Sequence, residues 1–230
     1  MGRGTKHDEA RSITLSLDSY WGVRGLAQEA DGWTEQIRLA TEDPDGTPSE
    51  LESPAGALWL FVAGQQASRQ RDRRQLDEAE RIYQRIRTRL EVQVPSPNQK
   101  AYLAATYHQL GWVAQDRGRL GEAEDWYRKS LAISEELGDK PRMADSFGQL
   151  GLLAEARGQG GPALEWTVRC VTVFDEFPHP LTKPGPEYLA RLTALRGIAA
   201  LEESWRKVTG NPLPQAVREY VESNSPPEDG

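Results

Sequence analysis

One segment of this chain recurs at a fixed spacing of 40 residues, and that recurrence limits the fold more than any other feature. Tyr107-His-Gln-Leu110-Gly111 returns as Phe147-Gly-Gln-Leu150-Gly151. The register then holds through Ala114 and Ala154, Gly118 and Gly158, Ala123 and Ala163, Trp126 and Trp166, and Ile133 and Val173. A repeat of this length is one supersecondary unit that cannot bury its apolar face alone, so copies must stack and share a continuous core. Within each copy an aromatic residue, a Leu-Gly pair and an alanine at i, i+3, i+4 and i+7 draw one stripe along a first helix. Gly118 and Gly158 fall where that helix must end, because glycine takes the left-handed conformation without a Cβ penalty.

A second helix is expected to begin near Gly121-Glu122 in one copy and near Pro162 in the other, proline being suited to a first helical turn. Ala123, Tyr127, Ser130, Leu131 and Ser134 continue the inward stripe. The small residues Gly111 and Ala123 mark the point where two antiparallel helices approach closely.

Tyr107, Leu110, Gly111, Ala114, Gly118, Ala123, Tyr127 and Ser130 together resemble the tetratricopeptide repeat family. Phe147, Leu150, Gly151, Ala154, Gly158, Ala163 and Cys170 fill the same pattern in the second copy, with Thr167 in place of an aromatic and no proline at the family's usual place after either copy. The period of 40 exceeds the family's usual length of about 34, so longer second helices are expected. The Leu-Gly-Asp that follows the second helix is similar to repeats of large actinobacterial signalling and effector proteins. The resemblance implies an all-α fold: a right-handed superhelical solenoid of antiparallel helix pairs with a C-terminal capping helix.

Leu76-Asp-Glu-Ala79-Glu-Arg-Ile-Tyr83 aligns with Leu120 to Tyr127 at an offset of 44, which marks a degenerate earlier unit without the Leu-Gly pair. Its first helix is expected around Leu58 to Arg69. Val92 to Gln99, with Pro95 and Pro97, reads as a connection, since proline cannot continue a helix. Upstream, Leu17 to Ala30 and Trp33 to Ala40 read as a hairpin broken at Asp31-Gly32, followed by an acidic loop. Downstream, a stiff segment from Pro178 to Pro186 leads to a helical pattern from Glu187 to Val208 and a last helix from Pro214 to Glu222. The expected organisation is a disordered start (1–12), a helical hairpin and loop (13–53), a degenerate unit (54–99), two repeat units (100–140 and 141–180), a hairpin with cap (181–222) and a disordered tail (223–230).

Composition narrows the chemistry. With 230 residues, 37% of them hydrophobic, the chain buries enough surface to need neither disulfide nor metal. Cys170 is the single cysteine, so a reducing compartment, the cytoplasm, is expected. The polar start and the short apolar run from Ala55 to Gly64 suggest neither signal peptide nor membrane anchor. A net charge of −7 opposes wrapping a phosphate backbone. The arginines from Arg69 to Arg74, at a helix end where cations favour the negative pole, read as structural more readily than as an anion or nucleic-acid patch.

No catalytic, metal or cofactor constellation emerges. Gly158-Gln-Gly-Gly161 lacks the Lys-Ser/Thr of a phosphate loop and reads as a turn. His7, His108 and His179 lie far apart in sequence, and Cys170 sits at the small-residue position of its repeat, as a core thiol does. Glu135-Glu136 and Glu202-Glu203 point about 100° apart on a helix, so neither pair makes an acid and base.

The resemblance implies that residues flanking the Leu-Gly pair face a concave groove. That assigns partner contact to His108, Trp112, Gln115 and Asp116, and then to Asp145, Leu152 and Glu155. Trp112 either anchors a peptide or packs against a neighbouring repeat; the residues leave both open. The function implied is a protein- or peptide-binding scaffold without catalysis and without cofactor, its acidic groove favouring a basic ligand. The alternative is a sensor or regulatory module of a larger signalling or effector ATPase or protease system.

Overall fold

A computed structural model describes residues 27–42, 50–92 and 96–224, and among them every regular element is helical. Two compact units divide the chain, Met1–Arg119 and Leu120–Gly230. The first holds α1 (Ala27–Thr41), α2 (Pro54–Asp72), α3 (Leu76–Glu91) and α4 (Pro97–Asp116). The second holds α5 (Leu120–Leu137), α6 (Lys140–Ala156), α7 (Gly160–Val171), a 3-10 turn (Pro180–Thr182), α8 (Gly185–Arg196), α9 (Ile198–Thr209) and α10 (Gln215–Ser223).

In the first unit each helix packs on the next, α1 on α2, α2 on α3 and α3 on α4. Leu58, Trp59, Val62 and Ala67 of α2 and Ala79, Tyr83 and Ile86 of α3 are all buried, as an apolar stripe on each of two packed helices requires. In the second unit α5 packs on α6 and α6 on α7, while α8, α9 and α10 close the end around Leu164, Val168, Leu189, Leu201, Trp205, Val217 and Val221. The close approach expected at the Leu-Gly pair is visible there. A Cβ on Gly151 would lie 3.1 Å from Thr167 Oγ1 and 3.5 Å from the Ala163 carbonyl.

Local sequence explains most helix ends. Gly118 and Gly158 both adopt φ of 72°, and the amides that follow, Arg119 and Gln159, donate back to Ala114 and Ala154 at 2.8 Å. These bonds satisfy carbonyls that the helix end would otherwise leave open. The same turn closes α2, where Gln75 donates to the Gln70 carbonyl at 2.9 Å and the left-handed position is held by Arg74, φ 61°.

Several expectations need correction. The helix α1 runs unbroken through Asp31-Gly32, because Arg69 of α2 (2.9 Å) and Arg73, which caps that helix, hold the Asp31 carboxylate and offset the glycine's cost. The connection after α3 ends at Ser96, not Gln99. Ser96 Oγ accepts from the Gln99 amide at 3.4 Å and Gln99 Oε1 accepts from the Ser96 amide at 3.0 Å, a reciprocal cap that starts α4 with Pro97 in its first turn. The first helix of the degenerate unit begins at Pro54, where Ser53 Oγ accepts from the Gly56 amide at 3.0 Å. Gly197, at φ 86°, divides the expected Glu187 to Val208 helix into α8 and α9. The longer second helix holds for α5, with 18 residues, but α7 stops after 12. The expected disorder of 1–12, the Leu17 helix start, most of the expected acidic loop (43–49) and the tail from 225 lie outside the described residues, while Ser223, expected in that tail, belongs to α10. No described helix is long and apolar enough to cross a membrane.

Candidate functional site

The α4 residues assigned to partner contact do not share one exposure. His108 is buried, 8% exposed, and its ring lies 5.9 Å from that of Trp112. Trp112 is half-buried beneath Arg71, whose guanidinium carbon stands 4.4 Å from the ring centroid. Arg71 is held in place by Gln109 Oε1 at 2.5 Å and Asp72 Oδ1 at 2.8 Å, so the indole is fixed by a clamp built on α2. Its Nε1 is buried without a hydrogen-bond partner among the described residues. Gln115 is half-buried, and the exposed Asp116 pairs with Arg74 at 3.3 Å.

In the second unit Glu155 accepts two parallel hydrogen bonds from Arg191 of α8, at 2.5 and 2.6 Å, which hold its carboxyl below the usual range. Asp145 makes no ion pair among the described residues, and desolvation by the protein around it raises its carboxyl against the opposing charge of Arg142. Leu152 and Asp145 line one small recess. Two of the three acids thus have their charge answered from within the chain.

The arginines from Arg69 to Arg74 are likewise matched: Arg69 and Arg73 to Asp31, Arg71 to Asp72, Arg74 to Asp116. Trp126 and Trp166 are packing surfaces. Trp166 stacks on Phe147 at 5.9 Å, and Arg128 and Lys129 lie over the Trp166 and Trp126 rings.

Cys170 is 3% exposed, and burial pushes its thiol up to about 12. Gly158 is the helix-ending turn, and the Arg196 side chain rests on Gly160, where a Cβ would stand 2.3 Å from its guanidinium. Among the described residues no group of three His, Cys, Asp or Glu side chains is arranged to hold a metal ion.

Two recesses occupy equivalent positions in the two units. In the first, a space of about 250 Å³ opens between α2, α3 and α4, lined by Leu60, Phe61, Gly64, Gln65, Ser68 and Ile86 together with Tyr83 and the α4 face Tyr102, Ala105, Thr106, Gln109. In the second, Ala144, Asp145, Gly148, Gln149, Leu152 and Cys170 line a space of about 80 Å³. Each of these six follows its counterpart by 84 positions, the offsets of 44 and 40 taken together. The difference in volume has a visible cause. Residues Leu181 to Gly185, with Tyr188 of α8, form the remaining wall of the second recess, so the chain's own connection lies in it. Sequence reasoning missed the open recess, although the recurrence of Gly64-Gln65 as Gly148-Gln149 was the signal for it.

The family model for the tetratricopeptide repeat matches residues 67–136 and 102–176. No curated protein matches the chain. Among solved structures, BtubC (BKLC) from P. vanneervenii is similar with a TM-score of 0.70 at 13% identity, over 97% of this chain and 85% of that one. Two structures of putative kinesin light chain repeats from Podosopora anserina are similar with TM-scores of 0.65 and 0.63, at 19% and 20% identity. They cover 94% and 97% of this chain and 98% and 97% of their own. At such identities the likeness concerns the fold, an all-helical array of the solenoid type.

Proposed function

With residues 67–176 belonging to the tetratricopeptide repeat family, we propose that this chain is a scaffold that binds a protein or peptide partner and performs no chemistry of its own. The observation that carries this reading is the clamped indole of Trp112, held under Arg71 beside the exposed Asp116. A rigid aromatic ring offers large contact area at little entropic cost to the complex, and its neighbours already fix its orientation. Trp112, Gln115 and Asp116 are the proposed contacts in the first unit, with His108 supporting the indole from below; Asp145, Leu152 and Glu155 are those in the second. A basic partner segment would compete with Arg74 for Asp116 and would find Asp145 without a competitor. Nucleic acid is not proposed as a ligand, because the arginines of the α2 end are already answered by carboxylates.

The test is capture from native lysate with mass spectrometry, comparing the full chain with a Trp112→Ala, Asp116→Ala double variant checked by circular dichroism to remain helical. A partner lost from the variant alone supports the reading. A partner retained by both moves the contact to another face, and no partner from either sinks the scaffold reading.

A second reading, a regulatory module of a larger ATPase or protease system, is favoured by α1, where Trp33 and Leu39 stand 55% and 58% exposed. An exposed apolar pair on one helix is what a docked neighbouring domain would cover. Cross-linking from α1 in lysate would capture such a domain; cross-links confined to small partner peptides would count against it.

A further inference from the structure

The open recess of the first unit is set apart from the recess of the second unit and from the one between α1, α2 and α3, both of which include charged side chains in their lining. All eleven residues around it are uncharged, in a chain where 27% of residues carry charge. The recess between α1, α2 and α3, by contrast, is lined by Glu35, Arg38, Glu78, Arg81 and Arg85, which pair among themselves and with Glu42. A charged group entering the uncharged recess would lose its hydration and find no counter-ion, so its occupant must be neutral. Its volume of about 250 Å³ lies below the roughly 300–1,000 Å³ typical of small-molecule sites and suits one large side chain.

Gly64 lies within α2, at φ below zero, and a Cβ added to it would meet nothing within 4 Å. Neither backbone conformation nor packing requires glycine there, yet a helix-interior glycine is destabilising. Its effect is to keep the recess open. Above it, two amides face the space. Gln109 Oε1 is engaged by Arg71 at 2.5 Å and Tyr83 Oη at 3.5 Å, which leaves its NH2 group to donate, and Gln65 makes no hydrogen bond among the described residues. Uncommitted amide groups of this kind match the polar groups of a peptide main chain.

The second unit shows what fits such a place. There the thirteen residues between α7 and α8 reach back across the equivalent groove, and the 3-10 turn packs on α6. Thr182, 2% exposed, is buried against it, its carbonyl 3.8 Å from Cys170 Sγ, with Pro180 and Pro184 on either side. The connection between α3 and α4 has five residues, too few to repeat that path. Resting on the scaffold reading, we infer that the recess between α2, α3 and α4 receives an extended, proline-flanked segment of a partner protein, which inserts one uncharged side chain beside Gly64, much as Thr182 of the chain's own connection is buried against the recess of the other unit.

The test uses the full chain on an array of ten-residue peptides with prolines four positions apart and the position between them varied over all residue types. The strongest peptide is then titrated by fluorescence anisotropy. Winners with an uncharged central residue are expected, and Gly64→Leu, whose Cβ would meet no atom within 4 Å and whose side chain would occupy the recess, should weaken binding at least tenfold while keeping helicity and raising Tm. Winners with charged central residues, no winner at all, or undiminished binding by Gly64→Leu would each overturn the inference. So would a dimer seen by sedimentation equilibrium that Gly64→Leu abolishes, since the occupant would then be a second copy. If Gly64→Leu keeps a lysate partner that the Trp112→Ala, Asp116→Ala variant loses, the scaffold reading stands and this inference alone falls.

Discussion

Arg74 holds, at φ 61°, the left-handed backbone conformation that Gly118 holds 44 residues later at φ 72°. Both close a first helix with the same backbone hydrogen bonds, yet only glycine does so without a steric cost. The cost for a residue with a Cβ is about 1–2 kcal/mol. Arg74→Gly is therefore expected to stabilise the protein by about 1 kcal/mol in urea unfolding, because the ion pair it loses, to Asp116 across an exposed surface, contributes little. A destabilised variant would mean that Arg74 does more than end a helix.

Gly56 is the opposite case to Gly64. A Cβ on Gly56 would stand 2.1 Å from the Glu50 carbonyl oxygen and 2.6 Å from Leu51 Cα, and backbone cannot rotate aside as a side chain does. Gly56→Ala should cost about 1–3 kcal/mol by overpacking, whereas Gly64→Ala should gain about 0.5–1 kcal/mol from helix propensity. Thermal unfolding of the two variants checks both signs at once.

Acid should weaken the second unit through Glu124 and Glu155. Arg128 and Arg157 hold the Glu124 carboxyl below its ordinary range, and Arg191 does the same to Glu155. A carboxyl depressed in the folded state contributes stability that is present above its unfolded value, roughly 4.3, and lost as pH falls through the folded value. Asp145, raised by desolvation, acts in the opposite sense and offsets part of the loss. Unfolding followed by circular dichroism from pH 7 to pH 3 should fall less steeply for Glu155→Gln than for the unaltered chain.

Cys170 should be inert in the folded protein. Its thiol stays protonated to about 12 because it is buried, and only the thiolate is nucleophilic. Alkylation by iodoacetamide at pH 8 should proceed at the rate of unfolding. The raised value also means that the contribution of this group is complete below roughly pH 8.5 and declines as pH climbs through its folded value. Rapid labelling under native conditions would contradict the burial of this position.

Much of the fold was legible because it is local. The stripe from Tyr107 to Ala114, the glycines Gly118 and Gly158, and the repeat of Ala123 as Ala163 specify helix, turn and crossing within one unit, and neighbouring units satisfy the same pattern. Tertiary contacts decided the rest. Asp31-Gly32 reads as a break until Arg69 and Arg73 arrive from a helix more than thirty residues away. The accessibility of the proposed contacts also lay beyond periodicity. His108 and Trp112 share a face of α4, but Arg71 from α2 stands over the indole and leaves it half-buried, and Arg191 from α8 takes the charge of Glu155. The same holds for the two recesses. Gly64-Gln65 and Gly148-Gln149 are identical pairs at one repeat position, and only the longer connection after α7 fills one recess and leaves the other open. Periodicity determines which face of a helix turns inward; which outward groups remain free depends on partners brought from distant sequence by packing.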